Sequence, residues 1–146
     1  MTVTPSAPVV LDTNVVVSLA RNNATGQAIE AEHGLSARAD RPLISTVAEG
    51  EILGLARSWN WGEPKLRVLR EVLAELVPVE AGLPEIVETY AALYAEATRK
   101  GKPRGENDLW IAATAMVFGA ELITCDKHFL WLHPEHLTVC FIPEAR

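Results

Sequence analysis

Four acidic side chains stand where the sequence changes from a short apolar run to a stretch of helical character. They are Asp12 after VVL, Glu49 shortly after LIS, Asp108 in front of LWIAATA, and Asp126 after LIT. Hard divalent cations such as Mg²⁺ prefer oxygen ligands and usually take one or two carboxylates together with water. The four acids would therefore make a cation site, provided that the fold brings them together.

The elements that must position these acids alternate along the chain. Short apolar runs alternate with longer amphipathic ones, which predicts an α/β fold with a central, mostly parallel β-sheet flanked by α-helices. The predicted strands are Pro8–Leu11, Leu43–Ser45, Leu76–Val79, Glu121–Thr124 and Leu137–Phe141. The predicted helices are Val15–Ala20, Gly26–His33, Val47–Arg57, Lys65–Glu75, Leu83–Arg99 and Leu109–Phe118. With 146 residues the chain has the length of one ordinary domain, and we expect residues 1–146 to form one.

A parallel sheet gives a reason for the four acids to meet. The carboxyl ends of its strands and the amino ends of the helices that follow them share one edge, where open α/β folds bind ligands. Asp12, Glu49 and Asp126 each come just after a predicted strand, and Asp108 opens the helix that leads into the fourth strand. The sequence therefore predicts that all four lie at this edge.

Each acid also has a purely structural explanation. Asp12 would cap the first helix, and Thr46–Glu49 has the spacing of a capping box. Asp108 suits the positive end of a helix dipole, and Asp126 suits an Asx turn. Four carboxylate caps on one edge is the less economical account, so we favour a shared site.

Composition and charge restrict the classes of protein that remain. Apolar residues make up 49% and charged residues 22%, which is typical of a globular chain and argues against disorder. No apolar run is long enough to span a bilayer, and Cys125 and Cys140 lack the spacing of a metal site or a disulfide framework. We therefore expect a cytoplasmic protein with no membrane contact. The formal charge of −6 argues against unselective nucleic-acid binding, although bound metal ions would reverse the local field of an acidic site.

The chemistry of such a site fits a metal-dependent nuclease. A divalent ion held by carboxylates activates water and stabilises the charge that develops on a scissile phosphate. We predict Asp12, Asp108 and Asp126 as metal ligands, with Glu49 completing or orienting their shell. Thr13, Asn14 and Thr124 are predicted to orient a carboxylate or a bound water, and local capping of the backbone is the alternative role for each. All of these residues have oxygen-donor side chains and lie near the predicted edge of the sheet.

Three segments together resemble the PIN domain and, within it, the toxin nucleases of bacterial VapBC-type toxin–antitoxin pairs. They are VVLDTNVVVSLA, ISTVAEGEILGLA and NDLWIAATAMVFGAELITCDKHF, in the order and with the spacing of that family. The resemblance implies a PIN fold, hydrolysis of RNA with Mg²⁺ or Mn²⁺, a homodimer, and an antitoxin protein as partner. Within the resemblance Asp12, Glu49, Asp108 and Asp126 match the family's acidic quartet.

The second member of that quartet has two candidates. Glu49 and Glu51 lie two residues apart, and we choose Glu49 because the pair Ala48–Glu49 fits the family pattern better. The polar positions that support the family's site correspond to Thr13, Asn14 and Thr124.

Basic and aromatic side chains offer weaker signals for RNA binding. Arg99, Lys100, Lys102 and Arg104 crowd the loop before Asp108, where they would contact an RNA backbone, or simply be solvated. Trp59 and Trp61 would stack on bases or pack on a partner, and we prefer a role in covering the core.

Other functions remain open from the sequence. A haloacid-dehalogenase-like phosphatase is disfavoured, because Asn14 stands where that family needs a second aspartate. A catalytically silent PIN scaffold and a PIN nuclease of RNA processing without an antitoxin are the alternatives. The presence of all four acids favours an active enzyme.

Overall fold

The computed structural model describes residues 7–103 and 105–144 and places a five-stranded parallel sheet at the centre. The strands are β1 (Val9–Leu11), β2 (Leu43–Ser45), β3 (Val77–Val79), β4 (Glu121–Thr124) and β5 (Val139–Phe141). The helices are α1 (Thr13–Arg21), α2 (Ala24–His33), α3 (Thr46–Ser58), α4 (Glu63–Ala74), α5 (Pro84–Lys100) and α6 (Glu106–Val117). Short 3₁₀ segments cover Leu35–Ala37 and Lys127–Leu132. The predicted α/β class, with a parallel sheet flanked by helices, is confirmed.

The order of the strands creates a switch point next to β1. The order is β3-β2-β1-β4-β5, so the chain extends the sheet first to one side of β1 and later to the other. β1 and β4 pair in parallel, with Leu11 opposite Ile123. Open α/β sheets bind ligands beyond the carboxyl ends of strands at such a point. The carboxyl ends of β1 and β4 are therefore where a site is expected.

The central strands and α6 form a rigid support for that edge. Val10, Leu11, Leu122 and Ile123 are fully buried, because both faces of the sheet are covered. The apolar stretch Ile111–Ala113 of α6 is buried as well, and this helix packs on β1, β2 and β4. These buried segments fix the ends of the strands and the helix from which the acids project.

Most predicted bounds agree with the structure to within two residues. β2 and β4 have the predicted bounds, whereas β5 begins at Val139, where its pairing with Leu122 begins. α1 begins at Thr13, earlier than predicted, because the Asp12 side chain caps it by accepting a hydrogen bond from the Thr13 amide. Gly34 ends α2 as an αL cap with a φ of 56°.

One further property bears on location. No helix within the described ranges is long and apolar enough to cross a lipid bilayer.

Candidate active site

Asp12 is the central acid of the site. It follows β1 directly and is only 4% exposed. Its Oδ1 accepts a hydrogen bond of 2.7 Å from the Thr13 amide, and its Oδ2 accepts one of 2.7 Å from the Thr124 hydroxyl. The first bond is the helix cap and the second ties the end of β1 to the end of β4. Asp12 therefore combines the capping role with a position at the switch point.

Thr124 couples Asp12 to Asp126. Its Oγ1 accepts a hydrogen bond of 2.9 Å from the Asp126 amide while donating to Asp12. The Asp126 carboxylate caps the following 3₁₀ segment by accepting from the His128 amide at 2.9 Å, and its Oδ1 lies 3.1 Å from His128 Nδ1. The predicted Asx turn is thus present, and the same residue faces the other acids.

The electrostatics show that the three aspartates share one field. Burial raises the pKa of Asp12 to about 6, and repulsion from Asp108 and Asp126 adds to the rise while hydrogen bonds from Thr124 and Thr13 oppose it. Burial also raises the pKa of Asp108 to about 6, with further contributions from Asp126 and Glu51 that His128 partly offsets. Like charges close together disfavour ionisation. A cation between these acids would relieve the repulsion.

Of the two glutamates of α3, Glu51 is the one that forms hydrogen bonds with residues next to the aspartates. Glu51 Oε1 accepts a hydrogen bond of 2.5 Å from the Thr13 hydroxyl, and its Oε2 accepts one of 3.0 Å from Asn107 Nδ2. Glu49 lies in the first turn of α3, and within the described residues no hydrogen bond joins it to Thr13 or Asn107. Two residues along a helix turn the side chain by about 200°, so both acids cannot face one site. Glu51 is thus the glutamate of α3 that is tied to the segments carrying the aspartates, while the predicted role of Glu49 stays a prediction.

The capping box predicted at Thr46–Glu49 is also replaced. The N-cap of α3 is Ser45, whose hydroxyl accepts a hydrogen bond of 3.2 Å from the Val47 amide. Thr46 instead accepts one of 3.2 Å from the Ala81 amide. The cap comes one residue earlier because the last residue of β2 is itself a serine.

The predicted supporting residues divide into two kinds. Thr13 and Thr124 each join two parts of the acidic cluster. Asn14 is exposed, and among the described residues it makes no hydrogen bond to the four acids. Asn107, which sequence reasoning missed, holds Glu51 from the first turn of α6. Its place immediately before Asp108 is the signal that could have identified it.

A shallow cleft of about 370 Å³ lies on the side of the cluster formed by the start of α6 and by Glu51. It is lined by Glu51, Gly105, Asn107 and Asp108. The donors facing the cleft are carboxylate and amide oxygens, which is the ligand chemistry of a hard cation. Burial raises the pKa of Cys125 to about 11, so without a metal ion the thiol beside Asp126 is neutral. The residues present thus fit a Mg²⁺-class ion.

The predicted basic residues lie at the end of α5, in the approach to α6. Arg99, Lys100 and Lys102 are exposed, and Lys100 pairs with Glu96 at 2.8 Å. Arg104 lies outside the described residues. Their contact with RNA stays a prediction.

The two tryptophans pack beside α1. The Arg21 guanidinium lies 4.6 Å from the ring of Trp59 and 5.7 Å from that of Trp61. Trp61 is packed against the core, whereas Trp59 remains 43% exposed. The preferred role in covering the core therefore fits Trp61 better than Trp59.

Comparisons with known proteins agree with this geometry. A family model described as PIN domain matches residues 9–131. Ribonuclease VapC1 of Haemophilus influenzae strain R2866 is 33% identical over 115 residues, which span 78% of this chain and 83% of that protein.

Solved structures of similar fold include toxin–antitoxin complexes. VapBC-1 from nontypeable Haemophilus influenzae superimposes with a TM-score of 0.71 at 25% identity, covering 91% of this chain and 96% of that one. VapBC2 from Rickettsia felis, bound to a DNA fragment from its promoter, gives a TM-score of 0.76 at 21% identity over 92% and 98% of the two chains.

Proposed function

The chain belongs to the PIN-domain family, and from that premise we propose that it is a divalent-metal-dependent endoribonuclease, the toxin of a VapBC-type toxin–antitoxin pair. The relative named Ribonuclease VapC1 supports the activity. The toxin–antitoxin complexes among the similar structures support a protein partner. With RNA as its substrate, the protein would act in the cytoplasm.

One observation carries the proposal. A buried aspartate at the switch point, Asp12, is linked through Thr124 to Asp126 and shares its field with Asp108. Caps alone would not require carboxylates from three separate segments to face one another, since each pair of like charges costs stability. The cluster is understandable if a cation is its normal occupant.

Each residue then has a defined task. Asp12, Asp108 and Asp126 would hold the ion, and Mg²⁺ or Mn²⁺ suits their oxygen ligands. When bound, the ion supplies Lewis-acid stabilisation of charge at the scissile phosphate. Glu51, held by Thr13 and Asn107, orients that shell or the attacking water. Thr124 fixes the orientation of Asp12.

The surroundings suggest how RNA and partners are arranged. Arg99, Lys100 and Lys102 precede α6 and would contact phosphates, which position a substrate without reading its sequence. Along α5 the large apolar side chains of Leu83, Val87 and Tyr94 are 37%, 40% and 41% exposed, a stripe that a second copy would cover in a homodimer. The proposed roles of the acidic residues do not depend on whether this homodimer forms.

The two glutamates of α3 provide a matched test. The Glu51→Gln variant keeps the shape and removes the charge, and we expect cleavage at limiting Mg²⁺ to fall by roughly 10- to 100-fold. The Glu49→Gln variant removes the same charge from the same helix and should cleave like the unchanged protein. The readout is mapping of new ends in total cellular RNA, with Mg²⁺, with Mn²⁺ and with EDTA. Thermal melts verify that both variants fold.

Three results would contradict the assignment in different ways. Loss of cleavage in Glu49→Gln alone would return the fourth position to Glu49. Cleavage that persists in EDTA would exclude the metal. Absence of any cut by the folded, metal-loaded protein would favour the silent RNA-binding or protein-binding scaffold. A metal-dependent nuclease without a neighbouring antitoxin gene would instead be an RNA-processing enzyme.

A further inference from the structure

A second group of metal-binding side chains lies away from the acidic cluster, between the end of α2 and the edge strand β5. It consists of Glu32, His33 and Cys140, whose ligand atoms all lie within 4.8 Å of one another. His33 and Cys140 are 107 residues apart in sequence and are half-buried where they meet. The contact therefore results from the packing of two distant segments and not from local sequence.

The distance between the sulfur and nitrogen ligand atoms is close to that of a tetrahedral zinc site. Cys140 Sγ lies 3.4 Å from His33 Nε2. Zinc bonds of about 2.3 Å to sulfur and about 2.05 Å to nitrogen, at a tetrahedral angle, give a sulfur–nitrogen edge of about 3.6 Å. The observed sulfur–nitrogen distance is close to that edge, and the Glu32 carboxylate, which lies within 4.8 Å of both atoms, has to move closer to complete the site.

The chemistry of the donors selects the class of metal. A thiolate with an imidazole favours zinc or a similar borderline ion, whereas the oxygen ligands of the acidic cluster favour Mg²⁺. We propose that Glu32, His33 and Cys140 form a zinc-type site that ties the end of α2 to β5. Glu121 is the candidate for the fourth ligand, because Ile123 pairs with Cys140 and Glu121 lies on the same face of β4, two residues earlier.

The electrostatics around the thiol support a cation there. Burial raises the pKa of Cys140, and the carboxylates of Glu121 and Glu32 raise it further, with a hydrogen bond from the thiol to Glu121. Without metal the thiol is thus neutral and a poor nucleophile, which argues against a reactive or redox-sensing cysteine. A bound metal ion deprotonates a coordinating thiol outright. On binding, one proton leaves Cys140 for solvent.

Such a site would act on the fold and not on the reaction. β5 is an edge strand formed by the last described segment, and α2 belongs to the first third of the chain. An ion that binds the native state but not the unfolded chain stabilises the native state by mass action. For a chain of this size, zinc at roughly 100 times its dissociation constant should raise Tm by roughly 5–10 °C.

The two cysteines give a matched experiment with Co²⁺ as the probe, in excess Mg²⁺ to fill the acidic cluster. The unchanged protein and Cys125→Ser should show the thiolate-to-cobalt absorption band, and Cys140→Ser should lack it. His33→Gln keeps the thiol and loses a ligand, so its Co²⁺ affinity should fall at least roughly tenfold. Zn²⁺ should displace Co²⁺ and raise Tm only where the band forms.

The possible results of this experiment distinguish a zinc-type site from its absence. A band that survives in Cys140→Ser, or none in the unchanged protein, overturns the proposal. Unchanged affinity in His33→Gln overturns it too, and this variant remains informative if Cys140→Ser does not fold. Because the readout is a metal–thiolate band, it is independent of RNA cleavage and of the proposed nuclease function.

Discussion

The raised pKa of Asp12 makes the stability of the metal-free protein depend on pH in a way that one substitution should abolish. Burial first, then repulsion from Asp108 and Asp126, raises this pKa from 3.8 to about 6. A carboxyl whose pKa is higher in the folded state binds its proton more tightly there. Its stabilising contribution is therefore complete below about pH 4 and is lost as the pH rises through about 6.

The magnitude follows from the shift. One pKa unit corresponds to about 1.4 kcal/mol, so the contribution that disappears is about 3 kcal/mol. For a chain of this size that corresponds to roughly 6–12 °C in Tm. Asp108 should act in the same direction but less strongly, since its carboxyl is only half-buried and solvent screens it.

The assay compares the unchanged protein with Asp12→Asn in EDTA. The amide carries no charge at any pH, and its oxygen can still accept from the Thr13 amide while Thr124 turns its hydroxyl to accept from the new NH₂. The Tm of Asp12→Asn minus that of the unchanged protein should therefore rise by roughly 6–12 °C between pH 4 and pH 7.5. Saturating Mg²⁺ should raise the Tm of the unchanged protein at pH 7.5 and leave that of Asp12→Asn nearly unchanged.

A difference that stays constant between these pH values would refute the reasoning. A difference of the opposite sign would show that the hydrogen bonds from Thr13 and Thr124 outweigh burial. The main role of Asp12 would then be to cap α1, and its electrostatics would no longer support a bound cation.

Three glycines support further predictions. Gly26→Ala should lower the free energy of unfolding by about 1–3 kcal/mol, because a Cβ would lie 2.2 Å from the Ser18 carbonyl oxygen where α1 and α2 meet. Gly54→Ala is the control in open space on α3, and urea titration should show it stabilised by up to about 1 kcal/mol. Gly105→Ala should leave the fold intact but weaken Mg²⁺ binding, because its Cβ would lie 3.2 Å from Asp108 Oδ2 and displace that carboxylate. Calorimetric titration with Mg²⁺ tests this, and unchanged affinity would show that Asp108 moves without cost.

The sequence determines where the acids sit along the chain but not which way every helix turns. Asp12 and Asp126 follow strands whose direction is fixed, so their edge could be predicted. Glu49 and Glu51 lie on a helix whose buried stripe is Ala48, Ile52 and Ala56. They fall on opposite sides of that stripe. Choosing between them requires knowing that α1 brings Thr13, and α6 brings Asn107, to the side of Glu51.

Contacts between distant segments were beyond prediction for the same reason. Cys140 and His33 have no common motif, and their spacing in sequence resembles no metal site. They meet because α2 ends above β5, which depends on the path of the whole chain between them. Thr124 was predictable as a polar residue at a strand end, but its double hydrogen bond to Asp12 and Asp126 was not.

Capping and metal binding are not alternatives at this edge of the sheet. Each carboxylate oxygen carries two lone pairs, and in Asp12 one pair on each oxygen is taken by the Thr13 amide and the Thr124 hydroxyl. The same bonds that begin α1 thus fix the direction of the lone pairs that remain. Negative charge on Asp12 strengthens the helix cap, whereas burial beside Asp108 and Asp126 disfavours that charge. A cation would remove that conflict. One residue, Asp12, can therefore serve both as the cap of α1 and as a ligand of the ion.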